Sequence, residues 1–389
     1  MSAESRRFWL VFLGAFALYL ISSGLAHPTG YNNYALLADA WLHGHVWIAQ
    51  PAAAIDAVTF EDKYYVVEAP MPAVLMLPLA LFFGDGANQS LVCVICGALA
   101  VAAGDMLFVR MAITAGLRPW LVVLLAMGTG LWWNSAFGAV WMFAHVATVM
   151  FLTFMLAEWY GRRRLWLVGL LLGCAVLSRF PTILAALPFL AWIVVASPAR
   201  VRAALSFVAG LAPLLLAEAL YNYARWHTPL DMGFMIFYHQ DKNMGSPVGS
   251  PFDVSHIPFN LYSWFCLAPQ FFVETPWIRP TPWGVSLTLT SPALVLALAA
   301  RLDVEACVMW ASSILVAIPA LLYFTNGFEQ FGMRHTLDFT PFLLCLVARG
   351  FDRIRTSLSY WLICFSVFAN AYGVWYSWAY QAYAVVPRY

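Results

Sequence analysis

The stretch Gly138-Ala-Val-Trp141-Met-Phe-Ala-His145-Val-Ala-Thr-Val-Met-Phe-Leu-Thr-Phe-Met-Leu-Ala-Glu158-Trp-Tyr160 is almost wholly apolar and ends against Arg162-Arg163-Arg164. A helix needs roughly 20 such residues to cross the hydrocarbon core of a bilayer, and a basic cluster at one end of a span marks the cytoplasmic side. The rest of the chain reads the same way. Of its 389 residues, 63% are hydrophobic and 10% are charged, whereas a soluble domain is about half apolar and about a quarter charged. With 20 basic and 19 acidic side chains over 43.3 kDa, a water-facing surface cannot be covered. A soluble enzyme and a disordered chain are therefore excluded. A formal net charge of +1 offers no field for nucleic acid. The expected fold is all-α: a polytopic transmembrane helical bundle forming one domain over residues 1–389.

Outward from that stretch, apolar runs fall at about 8–25, 71–84, 88–109, 119–134, 165–178, 181–196, 203–222, 285–300, 306–323, 337–349 and 357–378. Several are too short for a straight span and must be broken, re-entrant or shielded by neighbours. Pro72, Pro78, Pro181 and Pro188 lie in these short ones. Arg6-Arg7 before the run Phe8 to Ala26 has the layout of a secretory signal, but its length and the spans that follow make it an uncleaved first helix. Two long stretches, 26–70 and 223–284, are too polar to span. Arg162–Arg164, Arg200 with Arg202, Arg301, and Arg349 with Arg353 and Arg355 mark the opposite side. The positive-inside rule puts those clusters in the cytoplasm and both long stretches outside. Eight runs precede residue 223, so one of them must fail to cross if the loops share a side; 71–84 and the pair 165–178 and 181–196 are the candidates. The expectation is about eleven spans with an external C-terminus. Most of the seven cysteines lie in apolar runs and form neither a disulfide framework nor a zinc pattern.

The scarce polar residues carry the function. In the first stretch, Leu36, Leu37, Ala40, Trp41 and Trp47 recur at helical spacing, with Asn32, Asn33, Asp39 and His43 largely on the other side. This predicts an interfacial helix with its aromatic side toward lipid and its polar side toward a cavity; the bland reading is an Asp and a His that simply face water. Asp62-Lys63 suits a turn between two short extended pieces. Glu68 stands before Pro70 and Pro72 at the mouth of the next helix, where an acid also serves as a dipole partner. Asp56 has no such capping role.

The second stretch offers Arg225, His227, Asp231, Tyr238, His239, Asp241, Lys242, Asp253, His256, Glu274 and Arg279 in no metal-binding pattern. Its Trp264, Trp277 and Trp283 fit either sugar stacking or a membrane-interface belt. Late in the chain, Arg334-His335 suits an anionic phosphate at a helix start; the local alternative is pairing of Arg334 with Glu329 or Asp338. His145, Arg179 and Glu218 lie inside apolar runs, where an ionisable group faces a partner or a cavity.

Together these residues resemble the GT-C superfamily of integral-membrane glycosyltransferases, which includes protein mannosyltransferases and lipid A aminoarabinose transferases. The similar segments are Tyr34-Ala-Leu-Leu-Ala-Asp39-Ala-Trp-Leu-His43-Gly44, Lys63-Tyr-Tyr-Val-Val-Glu68-Ala-Pro-Met-Pro72, Trp141 with His145, Ser178-Arg179, and Gln330-Phe-Gly-Met-Arg334-His335-Thr-Leu-Asp338. The resemblance implies a polyprenyl-phosphate sugar donor, an unidentified acceptor outside the membrane, lipids as surroundings, and an inverting transfer for which a divalent metal is optional. It implies a loop carboxylate as base. Many members carry an acidic pair where this chain has Gly30-Tyr31, so the base falls to Asp56, Asp39 or, third, Glu68. Arg334, His335, Arg279, Lys63, Arg179, Tyr34 and His43 are the candidates for the donor's phosphate and head group. Three other readings remain: a transporter or flippase of a lipid-linked substrate, a lipid-linked glycan ligase or polymerase, and an inactive subunit of a membrane complex. The acids crowd into loops instead of mid-membrane positions, and no internal repeat is visible; both points favour the enzyme over the transporter.

Overall fold

The computed structural model describes residues 3–49, 56–240 and 249–383; Asp241 and Lys242 lie outside them. The fold is helical. The helices are α1 (Ala3–Ser22), α2 (Asn33–Leu42), α3 (Met71–Phe83), α4 (Gln89–Arg110), α5 (Arg118–Met127), α6 (Leu131–Phe137), α7 (Val140–Tyr160) and α8 (Leu165–Val176). They continue with α9 (Ala186–Ala196), α10 (Arg200–Trp226), α11 (Gly233–Gln240), α12 (Ile257–Phe265), α13 (Leu287–Thr290), α14 (Val304–Leu322), α15 (Thr340–Ile354) and α16 (Ser357–Tyr380). Two small hairpins are the only sheet structure among the described residues: β1 (Ala57–Phe60) with β2 (Lys63–Val66), and β3 (Gln270–Phe271) with β4 (Ile278–Arg279).

Among the described residues, six helices are long and apolar enough to cross a membrane, or seven if the pair α5 and α6, bent by 46°, forms one span. Length and composition thus do not by themselves establish the expected eleven. The short runs have visible causes. Pro78 sits inside α3, and the 165–196 region breaks at Arg179 into a tight 3-10 turn, Phe180–Ala185, before α9. α4 and α7 are the central, deeply buried pair, while α1, α10 and α16 keep large apolar faces outward, as helices bordering lipid do.

α3 starts and ends at one end of the bundle. Its first residue donates from Met71 N to Leu177 O, and its far end, through Gly84, lies against Asp39 of α2. Asn88, just before α4, donates to Ala26 O, shortly after α1 (2.7 Å). The whole segment between α1 and α4 therefore stays at one end. The second long stretch joins it there: Thr59 N donates to Gln240 Oε1 at 3.1 Å, and Arg225 donates to Val66 O at 2.9 Å.

The opposite end is tied by ion pairs between helix termini. Arg7 of α1 holds Asp105 of α4 (2.5 Å), Arg110 of α4 reaches Glu4 (3.5 Å), and Arg164 holds Glu158 (2.9 Å). Arg163 reaches Glu305 (3.4 Å), and Arg349 pairs with Asp303. The basic clusters thus gather at the end away from the two long loops. Close helix crossings depend on missing side chains: a Cβ on Gly210 of α10 would lie 1.8 Å from Trp166 O of α8, so the two backbones meet as membrane helices do at small residues.

Candidate active site

At the loop end of the bundle, the helix break at Arg179 meets the late segment. Arg179 Nε donates to Asp338 Oδ2 at 3.2 Å, and His145 Nδ1 donates to Asp338 Oδ1 at 2.6 Å. All three are withdrawn from solvent, Asp338 and His145 almost completely. A buried carboxylate is tolerated because both its oxygens are paired. Asp338 therefore partners Arg179 and His145, not Arg334. It anchors the 3-10 turn Arg334–Asp338 onto α7, whose first turn presents Trp141 and, one turn on, His145.

Arg334 and His335 occupy that turn, and both are buried. Arg334 donates to Phe328 O (2.9 Å) and Gln330 Oε1 (3.1 Å), and its guanidinium lies 5.9 Å from the Trp141 ring centre. Arg334 Nε and His335 Nδ1 have no partner. Burial lowers the Arg334 pKa to about 10, with Arg179 adding to the effect and Asp56, Tyr323 and Glu68 opposing it, so the guanidinium stays charged at neutral pH. Burial, joined by Arg179, His145 and Arg334, holds His335 far below its usual range and hence neutral. Its ring faces His145 (5.4 Å) and Tyr323 (6.4 Å).

The two acids come from the base of the first hairpin. β1 and β2 pair in register from Ala57–Val66 to Phe60–Lys63. Glu61 and Asp62, both at positive φ, form the two-residue turn, the handedness that antiparallel strands favour. The turn lies one residue earlier than Asp62-Lys63. At the open end, Val67 N donates to Asp56 O (3.1 Å), and Asp56 itself has φ +57°. That left-handed conformation is one an Asp accepts more readily than most residues. The closure brings the Asp56 and Glu68 carboxyls near enough to act on each other electrostatically. Burial, then the charge and hydrogen bond of Asp56, raise Glu68 well above the usual carboxylate range; a backbone hydrogen bond and Arg179 only partly oppose this. Glu68 Oε2 and the fully buried Tyr34 hydroxyl have no partner. Tyr34 lies within the electrostatic reach of Glu68, Arg179 and Asp56.

Two buried side chains hold these parts in place. Gln89 accepts from Tyr34 N (3.1 Å) and donates to Tyr31 O (3.1 Å) and Gly138 O (2.9 Å), joining α2, α4 and the start of α7. Arg225, stacked on Tyr221 (4.1 Å) and Trp226 (4.8 Å), pins Val66 O, two residues before Glu68. Sequence reading had no signal for Gln89 or for Tyr323. Arg225 stood in a list of loop residues without a role.

Asp56, Glu68, Tyr34, Arg179, Arg334 and His335 are thus brought together, and Asp39, His43, Lys63 and Arg279 are not. Asp39 lies 3.6 Å from the exposed His43 and beside Gly84. The buried face of α2 is Asn33, Tyr34, Ala35, Leu37 and Ala38, so its Asp-His pair turns away from the core instead of toward a cavity. The small residues of that face let it seat on α3. Lys63 Nζ sits 4.1 Å over the Trp47 ring. Arg279 stacks 4.0 Å over Phe272 and donates to Pro276 O. Trp264 is buried against Phe339, while Trp277 and Trp283 are exposed. Among the described residues no three His, Cys, Asp or Glu side chains gather as metal ligands. The Asp56–Glu68 pair alone is a poor donor set for a divalent ion.

Buried charges thus gather at one end of an apolar helical bundle, with acids supplied by the loop after the first helix. The fold is similar to that of ArnT from Cupriavidus metallidurans. The crystal structure of ArnT bound to undecaprenyl phosphate matches with a TM-score of 0.51 and 15% identity over 91% of this chain and 61% of ArnT. The apo state matches with a TM-score of 0.52 and 16% identity over the same shares. The chain thus spans less than two thirds of the ArnT length. No family profile and no curated protein matches the sequence.

Proposed function

We propose that this chain is a membrane glycosyltransferase that moves a sugar from a polyprenyl-phosphate donor to a lipid, glycan or protein acceptor. Its site would face the outside, or periplasm, of a bacterial inner membrane. One observation carries the reading: two loop carboxyls, Asp56 and Glu68, act on each other within the electrostatic reach of buried Arg334 and partly buried Arg179. Glycosyl transfer needs both signs of charge. A base removes a proton from the acceptor, and a cation receives the negative charge that develops on the departing phosphate. Half-buried Asp56 is the base in this reading, and Glu68 keeps its own proton. The acceptor oxygen attacks the anomeric carbon on the face opposite the phosphate, and the bond from that carbon to the phosphate oxygen breaks. The acceptor proton passes to Asp56, and the freed polyprenyl phosphate stays beside Arg334, whose unpartnered Nε is available to it. The fold shared with ArnT, one of whose structures holds undecaprenyl phosphate, supports a polyprenyl-phosphate partner. The basic clusters at the opposite end support the outward orientation. Among the described residues, Asp56 and Glu68 offer only two carboxylate donors, a poor set for a divalent ion.

The test is reconstitution of the full chain in lipid vesicles with polyprenyl-phosphate-linked sugars, following release of polyprenyl phosphate. Acceptor-dependent release that disappears in Asp56→Asn supports the proposal. Movement of intact donor between leaflets with no release overturns it in favour of a transporter.

A further inference from the structure

Helix α12, in the second long stretch, buries Trp264 against Phe339 but turns most of its other apolar side chains outward. Its polar residues Asn260 and Ser263 are fully buried, while Phe259 (46% exposed), Leu261, Tyr262 (52%) and Phe265 face outward. The segment Ile257–Phe265 contains no Asp, Glu, Lys or Arg. A helix resting on a protein surface in water shows the reverse pattern, with its apolar stripe turned inward. The buried asparagine has a definite task. Asn260 Nδ2 donates to Ala320 O (3.3 Å), Leu321 O (2.9 Å) and Tyr323 O (2.8 Å). These carbonyls lie at the end of α14, where a helix leaves its last acceptors unsatisfied. His256 adds a bond to Leu322 O at 2.9 Å.

The apolar face continues beyond α12. The β3–β4 hairpin exposes Phe271, Val273 (96%) and Trp277, and it is fastened to α16 by a hydrogen bond from the Tyr372 hydroxyl to Ile278 O. On α16, Trp375 and Tyr380 are exposed in turn. Outward-facing aromatics at the end of a spanning helix are the usual belt of a bilayer interface. Arg279 folds its guanidinium back over Phe272 at the foot of the hairpin, which keeps the charge near the head groups while its stem lies on apolar surface.

We infer that α12 and the β3–β4 hairpin form a shelf lying in the bilayer, its exposed face covered by lipid at the boundary between acyl chains and head groups. The depth follows from α14: this apolar helix is long enough to cross the membrane, and α12 is bonded to its last turn. The occupant is lipid because the face is continuous with the belt on α16 and carries no charge on α12 that a protein partner would read. The second stretch, expected outside from its overall polarity, is on this inference part membrane-embedded. Tyr323, which faces His335, then sits at the membrane surface. The inference does not depend on the transfer reaction.

Hydroxyl-radical footprinting of the full chain, one copy per lipid nanodisc, reads the face without substitutions. The expected result is loss of oxidation at Phe259, Tyr262, Phe265 and Trp277, with His227, which is exposed, oxidised as a water-facing reference. A phospholipid carrying a photoactivatable acyl chain should label the same segments. Oxidation of α12 at the rate of His227 overturns the inference. Protection without lipid labelling overturns it as well, since the cover is then protein.

Discussion

Arg179 and Asp338, 159 residues apart in the chain, meet at 3.2 Å inside the bundle. The pair welds the broken helix before α9 to the segment that carries Arg334, and His145 closes the second oxygen of the carboxylate. Asp338→Ala would strand the Arg179 cation and should cost about 3–5 kcal/mol, the usual price of breaking a buried pair. Thermal unfolding in detergent measures the loss. Adding Arg179→Met should restore part of it, because the uncompensated charge is then gone.

Asp56→Asn should lower sugar transfer about 10²–10⁴-fold, the range ascribed to general base catalysis, with unfolding temperature little changed. Asp39→Asn, at a carboxylate paired with exposed His43, should transfer at close to the wild-type rate. Equal losses in both variants would remove Asp56 from the role of base.

Glu68 gives a pH signature. Its folded pKa is raised by burial and by Asp56, so the native state favours the protonated form. The associated stability is fully present below the unfolded carboxylate value, near 4.3, and is lost as pH rises through the raised folded value. Wild-type unfolding temperature should therefore fall from acid toward alkaline pH relative to Glu68→Gln. Parallel curves for the two proteins would contradict the raised Glu68 pKa.

Arg334→Gln should weaken polyprenyl-phosphate binding about 10- to 100-fold, as expected from losing charged hydrogen bonds of about 1.5–3 kcal/mol. Arg279→Gln and Lys63→Gln remove cations that sit on Phe272 and Trp47 and should bind nearly normally. Titration of the three variants with the lipid phosphate distinguishes them.

Gly210→Ala places a methyl group on the carbonyl of Trp166. Overpacking of this kind costs about 1–3 kcal/mol, and it should appear as a lower unfolding temperature with α8 and α10 pushed apart.

The helical membrane fold could be read from composition and from the runs flanked by arginines, because lipid allows few alternatives. That α3 fails to cross could be read only as one of two options. Its length fits a short helix of any orientation, and the choice depends on Asn88 and Leu177 holding its flanks at one end. Within the site, Arg179 stood out because a charge inside an apolar run needs a reason, Arg334 because it suits a phosphate at a helix start, Asp56 because it lacks a capping role, and Glu68 only as the third choice. Asp39 and His43 stood out just as strongly and lie elsewhere: helical spacing fixes which residues share a face but not what that face meets. Asp338 was weighed only as a neighbour of Arg334, since a partner 159 residues away leaves no local pattern. Gln89 and Tyr323 look ordinary until the chain is folded around them.

The ion pairs between helix termini have a mechanical corollary. Side chains such as Arg7, Arg163 and Arg164 are partly open to solvent, so added electrolyte weakens them, whereas the enclosed charges around Asp338 are screened far less. High ionic strength should therefore slacken this rim first and leave the loop end around Asp338 in shape, so that the molecule frays from its foot upward.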